Sequence, residues 1–419
     1  MTLFQAPKGT RDVLAPESAR VETLVARFAT QAHLAGYGLI VSPMFEDVGV
    51  FRRGVGEESE VVTKEMYEFE DKSGRSLALR PEGTASVVRA FVQHSPQTPW
   101  KAWYLTPAFR YEAPQAGRFR QHHQLGVEAL GSDDPDLDVE VIAFLQAYLR
   151  TVGLRSIDLR VNSMGDRECL PAYRAKLADY LRANESELCV EHRNTWQKNP
   201  LRVLDCKREA CVALREGAPR LSDSLCEACR EHFSRVLDGL DALGIAYVRD
   251  DFLVRGLDYY VRTTFEFSSN ALDAAQNAVG GGGRYDGLAE ALGGKPTPGV
   301  GFGSGIERVL LAADAEDLDL AGAPLDVFVI DLTDGKVARD LSHQLRQAGV
   351  RCDRAFDGRS LKAQMRLADR SGARLAVIVG PNELAEGRAT VRVLGGDDAH
   401  HQELVDRDRL LTTIMELLG

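Results

Sequence analysis

No apolar run in the 419-residue chain approaches the ~18 residues that a membrane-spanning helix needs, so a helical membrane protein is excluded. The opening MTLFQAPKGTRD lacks the basic, apolar, small-residue order of a secretory leader, and the chain is expected to be cytoplasmic, with no membrane partner. Positive charge is also short. A formal net charge of -11 argues against a protein that coats polyanions without selectivity, since that mode needs excess Lys and Arg over the whole surface; local basic patches stay open. Cysteine is sparse and odd in number, seven in all, which speaks against a secreted disulfide framework. At roughly 150 residues per domain, the length predicts two or three domains.

What is present centres on LVRGLDYY, residues 253–260, a strand-like stretch holding one guanidinium and two phenols. Arg255 forks toward phosphate or carboxylate, and Tyr259 and Tyr260 offer flat faces ending in hydroxyls. Such a set suits a small, planar, polar ligand. The plain alternative is a strand with one surface cation.

Upstream, the spacing of Val21, Leu24, Val25 and Phe28 predicts a helix from about Ser18 to Ala35, ended by Gly36. A buried strand, Leu39–Val41, follows and stops at Pro43, a candidate dimer edge. Residues 52–65, polar and holding two glycines, read as a mobile loop. In SLALRPEGTASVVRAFV a strand turns through Pro81 and Gly83 into a helix, so Glu82 and Thr84 sit at its N-terminus, either capping it or facing an amine. WYLTPAFRYE and HHQLGVEALG predict an antiparallel hairpin. Alternation puts Arg110 with Glu112, and Gln124 with Glu128, on shared faces, and four polar groups turned into one side of a sheet imply a polar ligand or a solvated face.

From about 170 to 243 the chain becomes charged and helical, an inserted small domain. Within it Cys206, Cys211, Cys226 and Cys229 follow C-x4-C-x14-C-x2-C, with His232 just beyond: either one structural zinc site or reduced thiols packing helices. LVRGLDYYVRTTFEF reads as strands, and NAVGGGGRYDGL as strand, glycine turn and helix. The four glycines before Arg284, Tyr285 and Asp286 fit backbone approaching a ligand better than a linker. GFGSGIERVLL runs from strand to helix, with Arg308 one turn in. After an acidic linker, 315–324, alternating strands and helices predict an α/β domain with a mostly parallel sheet. It carries a basic cluster of Arg351, Arg354, Arg359, Lys362, Arg366, Arg370 and Arg374, either a nucleic-acid footprint or a solvated helix face.

These residues carry a resemblance. FRYE at 109–112, with the hairpin through GRFRQHHQ, resembles motif 2 of class II aminoacyl-tRNA synthetases; GFGSGIER resembles motif 3, and Pro43 the proline of motif 1. LVRGLDYY and GGGGRYDGL are similar to the two histidine-specific signatures of the histidyl-tRNA synthetase family, and KGTRDVL to its N-terminal signature. The resemblance implies an α+β catalytic domain at 1–324 built on the antiparallel class II sheet, with the helical insertion, and an anticodon-binding α/β domain at 325–419. It implies ATP and Mg2+, L-histidine and tRNA(His) as partners, and a homodimer.

The resemblance also implies roles. Arg110 and Arg255 would stabilise the α-phosphate as the catalytic cations, Glu112 would bind the adenine amino group, and Arg308 would stack on adenine and reach the γ-phosphate. Glu82, Gly83, Thr84 and Gln124 would surround the substrate's α-amino group, Glu128 and Tyr260 would pair with the imidazole nitrogens, and Tyr259 and Tyr285 would wall the pocket. The loop around Glu57 and Glu58 would close over it. Three positions depart from the family pattern. His122 replaces the phenylalanine that stacks on adenine, a smaller and pH-sensitive contact; Ala15 precedes Pro16 in the N-terminal signature; and Ser304 stands for an apolar residue of motif 3. A non-catalytic regulatory relative of the same core is the rival reading, and it would lack the C-terminal domain.

Overall fold

A computed structural model describes residues 4–57, 59–113, 115, 117–273, 277–322, 324–395 and 401–419. They fall into two compact units, Met1–Leu320 and Ala321–Gly419.

In chain order the strands of the first unit are β1 (Gly38–Leu39), β2 (Phe45–Asp47), β3 (Tyr67–Glu70), β4 (Ser76–Leu79), β5 (Trp100–Phe109), β6 (Gln121–Leu130), β7 (Ile157–Ser163), β8 (Val248–Arg249), β9 (Val261–Ser269), β10 (Ala278–Arg284) and β11 (Gly299–Gly305). Eight form one sheet in the order β1-β5-β6-β11-β10-β9-β7-β8, and β2-β4-β3 form a small second sheet. The large sheet is antiparallel throughout its middle; only the edge pairs β1/β5 and β7/β8 are parallel.

Period-two alternation gives this sheet two different faces. On one, Trp103, Leu125, Val127, Phe265, Phe267, Val300 and Phe302 join a continuous core with the helices Glu17–Leu34, Pro135–Val152, Glu227–Ala242 and Ile306–Ala315. Phe28 centres it, its ring 5.0 to 6.0 Å from those of Trp103, Phe144, Tyr148 and Phe302. Leu24, Phe28 and Ala32 are buried at four-residue spacing on the first helix, which ends at left-handed Gly36.

The other face is nearly bare. Register places Gly126 opposite Tyr104 and Gly303, Gly301 opposite Glu128 and Gly283, Gly281 opposite Gly303 and Glu266, and Gly305 opposite Gln124. The glycine run expected as a turn is therefore strand β10, and glycine is needed there because a Cβ on Gly281 would press on the Arg255 guanidinium and the Phe265 carbonyl and one on Gly282 would strike the Gly301 carbonyl; the same holds on neighbouring β11. A Cβ on Gly301 would collide with the Glu128 carboxylate and the Val127 carbonyl.

Other expectations also change. Residues 253–260, read as strand, are irregular chain that enters β9 at Val261. Residues 52–65, read as a mobile loop, include the end of helix Val48–Val55 and a π-helical turn, Val61–Glu65, because Phe51, Val55 and Val61 bury against Ala78 and Ala85. Arg284 takes no part in a ligand approach. It is wholly buried, donating to Asp138 at 3.0 Å and to the carbonyls of Ser132 and Asp134, while His232 and Thr263 also bond Asp138. That network ties β9, β10 and two helices together with every charge partnered.

The insertion has its own core around Tyr173, Leu177, Trp196, Leu204 and Leu221, and it reaches Val254 and Tyr260 of the irregular segment. In the second unit the strands are β12 (Val327–Asp331), β13 (Cys352–Arg354), β14 (Leu375–Val379), β15 (Arg388–Val393) and β16 (Gln402–Asp406), in the order β13-β12-β14-β15-β16. Its sheet is mixed, contrary to the expected mostly parallel one. β14/β15 and β15/β16 are antiparallel, since the chain between β14 and β15 is shorter than the roughly dozen residues that a parallel crossover takes.

Candidate active site

The bare sheet face floors a cleft of about 630 Å³, lined by Arg110, Glu112, His122, Gln124, Arg255, Tyr260, Glu266, Gly281, Gly303 and Arg308 among others. Seven of the residues singled out from sequence thus meet in one hollow.

They reach it by different routes than alternation implied. β5 ends at Phe109, so Arg110 and Glu112 lie beyond the ladder and do not share a strand face. The chain is held there by irregular bonds: Arg110 N–H donates to the Arg120 carbonyl at 2.9 Å, and Arg120 N–H to the Gly9 carbonyl at 2.7 Å, so the N-terminal KGTRD loop braces the hairpin. Arg110 Nε is tied to the Pro81 carbonyl at 2.9 Å, fixing the guanidinium. Gln124 remains on the regular part of β6.

Electrostatics divide the cleft. At one end Arg110, Arg118 and Arg308 crowd together, with Arg118 bonded to Glu112 at 3.2 Å. Burial first and the neighbouring Arg118 charge second hold Arg308 below the usual guanidinium range, against the pull of Glu112. Toward the middle Arg255 donates to Glu266 at 2.7 Å, its guanidinium 6.0 Å from the Tyr260 ring, while its buried Nε has no hydrogen-bond partner among the described residues. His122 is pushed down to about 4, by burial first and by Arg110 second. It is therefore neutral across the physiological range, which removes the ground for the pH sensitivity expected of it.

Glu82, Thr84, Glu128, Tyr259 and Tyr285 do not line the open cleft. They form a buried polar cluster behind Tyr260, whose ring lies 4.6 Å from that of Tyr259. Glu128, fully buried, accepts from Thr84 Oγ1 at 2.7 Å, Tyr104 OH at 3.2 Å and Tyr285 OH at 2.5 Å. Burial pushes it up to about 8, against the pull of those donors. Glu82 accepts from Thr84 and Ala85 N–H at 2.9 and 2.7 Å and so caps helix Thr84–His94, with Tyr259 OH donating to it at 3.3 Å; Gly83 is the residue before that helix, and a Cβ there would strike the Tyr104 ring. Capping is thus the observed role of Glu82, and Thr84 faces Glu128. Glu57 borders a separate hollow with Arg174, Lys198 and Asp258, and Glu58 lies outside the described residues.

Sequence reasoning missed Glu266, Arg118, Glu65 and Tyr104. Glu266 left a trace, a lone carboxylate in the apolar strand TTFEF. Tyr104 left none, because an aromatic in a strand is ordinary core until its hydroxyl is found on a buried acid. Of the two readings of the four cysteines, a single site formed by all four fails. Cys206 and Cys211 group with Cys189 and His192, Cys226 and Cys229 group with Asp166 and Cys169, and His232 is taken up by Asp138 at 2.5 Å. Cys211 sits within the helix Glu209–Arg215, and the chain after it, through the turn Leu221–Ser224, carries Cys226 and Cys229 to the other group.

In the second unit the expected basic cluster divides. Arg351 is paired with Asp326 at 2.7 Å and Arg354 lies over Phe356, whereas Lys362, Arg366 and Arg370 recur at four-residue spacing on the exposed side of helix Leu361–Ser371.

Residues 9–309 match the family model described as histidyl-tRNA synthetase, and residues 326–417 match an anticodon binding domain. A protein named histidine--tRNA ligase from Rhodococcus erythropolis is 48% identical over 99% of this chain and 98% of its own length; another from Moorella thermoacetica is 49% identical over 96% of each. The solved apo histidyl-tRNA synthetase of S. aureus superposes with a TM-score of 0.81 at 33% identity, covering 98% of this chain and 100% of that one. A Bacillus halodurans structure titled ATP phosphoribosyltransferase regulatory subunit/histidyl-tRNA synthetase shares the fold at 22% identity, with a TM-score of 0.64 over 88% of this chain and 97% of its own.

Proposed function

This chain belongs to the histidyl-tRNA synthetase family, and on that premise we propose how its cleft attaches L-histidine to tRNA(His) with ATP, by way of a histidyl-adenylate. A carboxylate oxygen of histidine attacks the α-phosphorus of ATP; the new O–P bond forms as the bond to the β-phosphate bridging oxygen breaks, and pyrophosphate leaves. A terminal ribose hydroxyl of the tRNA then attacks the acyl carbon, AMP leaves, and the hydroxyl proton passes to a phosphate oxygen.

Positive charge is what the first step needs, since two anions meet at a pentacoordinate phosphorus. Arg110 and Arg255 are the cations proposed for the α-phosphate, both preset by bonds to Pro81 and Glu266. Arg308, with Arg118, would take the adenine face and outer phosphates, and Glu112 and His122 would meet the adenine. The crowding of three guanidiniums at one end of a glycine-floored cleft is the observation that carries this reading. Mg2+ fits the same end: Glu65 is held above the usual carboxylate range by burial and by Glu112, a repulsion that a divalent cation would relieve. There Glu65 would help hold the ion, which neutralises phosphate charge when bound.

The imidazole is proposed to enter beside Tyr260 and pair with Glu128, with Tyr259 and Tyr285 as walls and Gln124, Thr84 and Glu82 toward the amino group. An unpaired ring nitrogen there would cost about 1–3 kcal/mol, enough to reject analogues lacking it. Pyrophosphate exchange into ATP is expected with histidine and no other amino acid, and Arg255→Ala should lower it about a thousandfold. Exchange without any amino acid would defeat the proposal.

We also propose a homodimer across the β1 edge, where Leu39, Val41, Met44, Phe45 and Phe69 are all exposed and apolar. Val41→Glu should then sediment as a monomer at concentrations where the parent chain sediments as a dimer; two monomers would refute it.

A further inference from the structure

Six of the seven cysteines lie in or at the root of the insertion, all as free thiols, and they gather in two groups of four donors. Within each group every donor atom lies within 4.8 Å of the others. In the first, Cys189 Sγ is 3.3 Å and Cys211 Sγ 3.7 Å from His192 Nδ1, with Cys206 completing the set. In the second, Cys169 Sγ is 3.9 Å from Cys229 Sγ, and Asp166 Oδ1 is 3.5 Å from Cys169 Sγ and 3.9 Å from Cys226 Sγ.

Geometry decides what these spacings mean. A disulfide needs sulfurs about 2.05 Å apart, and 3.9 Å is nearly twice that. A tetrahedral zinc ion with bonds of about 2.3 Å to sulfur and 2.0 Å to nitrogen or oxygen sets its ligands about 3.5 to 3.8 Å apart. The five edges given above, 3.3 to 3.9 Å, bracket those lengths, and the others stay within 4.8 Å. Both groups contain thiolate-forming sulfur with one harder donor, a set that suits zinc, and both supply four protein ligands, which closes the ion off and marks a structural site.

We propose that this chain binds two structural zinc ions, one at Cys189, His192, Cys206 and Cys211 and one at Asp166, Cys169, Cys226 and Cys229. The surroundings already carry the outer contacts such ions need. Arg208 Nη1 donates to Cys189 Sγ at 3.4 Å, the Asp166 N–H donates to Cys169 Sγ at 3.3 Å, and the Arg262 guanidinium lies 3.8 Å from Asp166 Oδ2, each offsetting the negative charge of a zinc-thiolate centre. The second ion clamps the entry and exit of the insertion, joining residues 60 positions apart. It also fixes the corner where Met164 and Arg262 exchange backbone bonds with Arg262 and Gly165, Arg262 itself being left-handed at φ 50°. The first borders the reaction cleft, since His192 and Cys206 line it alongside Asp205 and Arg255. The ions thus hold the insertion against the segment that carries Arg255 and Tyr260.

The full chain, purified without chelator and analysed by atomic emission, is expected to hold two zinc ions. Cys206→Ser and Cys226→Ser, at half-buried positions, should each lower this to one, while Cys352→Ser in the second unit leaves it at two. Replacing zinc with Co2+ should give the intense visible ligand-field bands and sulfur charge-transfer bands of tetrahedral thiolate cobalt, halved in either single variant. Because the cobalt titration uses the unaltered chain, it stands even where a serine variant does not fold. Zinc content of one or none in protein that also takes up fewer than two Co2+ ions, or mass spectra showing a disulfide among these six cysteines, overturns the assignment.

Discussion

Glu128 sits wholly out of water. Its carboxyl has no exposed surface and three donors, yet burial still pushes it up to about 8 from the usual carboxylate range. At neutral pH it is largely protonated in the folded chain and ionised in the unfolded one. Unfolding therefore releases a proton, and stability falls as pH rises from the unfolded value near 4.5 through about 8. Glu128→Gln removes that slope. Denaturant midpoints of the parent measured from pH 5 to pH 8 should fall relative to Glu128→Gln, and the variant should show a histidine KM about 10- to 100-fold higher, consistent with one buried hydrogen bond left unmade. Parallel midpoint curves would mean that Glu128 ionises normally. His122 is shifted in the opposite sense, down to about 4 by burial and by Arg110, so its ring is uncharged at neutral pH.

At the scale of elements, the floor owes its shape to the alternate glycines of β11 and the glycine run of β10, with Gly126 of β6 beside them. Two of these glycines separate packing from binding. A Cβ on Gly301 meets the Glu128 carboxylate, so Gly301→Ala should destabilise by about 1–3 kcal/mol, the usual cost of overpacking. The nearest atom to a Cβ on Gly303 is Gln124 Nε2 at 3.8 Å, ordinary contact, so Gly303→Ala should leave the unfolding midpoint nearly unchanged but protrude into the cleft and raise KM for ATP or histidine. Equal unfolding midpoints for the two variants would show that the floor is not packed as described. Sequence periodicity could find these strands, but it misread GGGG as a turn because glycine is rare in strand interiors unless something lies close above it.

The whole molecule combines a chemical unit with a second unit whose charge pattern differs from the chain average. Net charge is -11, yet Lys362, Arg366 and Arg370 form an exposed basic row on one helix of the second unit. Such a row suits a phosphate backbone. Reversing it with Lys362→Glu, Arg366→Glu and Arg370→Glu together should lower kcat/KM for tRNA charging at least ~10-fold, flatten its salt dependence, and leave histidine-dependent exchange unchanged. Loss of exchange to the same degree would assign the row to folding instead.

The sequence by itself determined the short-range features: helices where apolar residues recur at 3.6, strands where they alternate, and the signatures around Arg110, Arg255 and Arg308. Those are local because backbone period and side-chain chemistry are properties of neighbours in the chain. Tertiary structure alone decided which of those residues share a hollow and which lie behind its wall, that Arg284 serves Asp138, and that the cysteines divide into two groups. Burial, register and the partner opposite a side chain are set by segments a hundred or more residues away, and no local pattern encodes them.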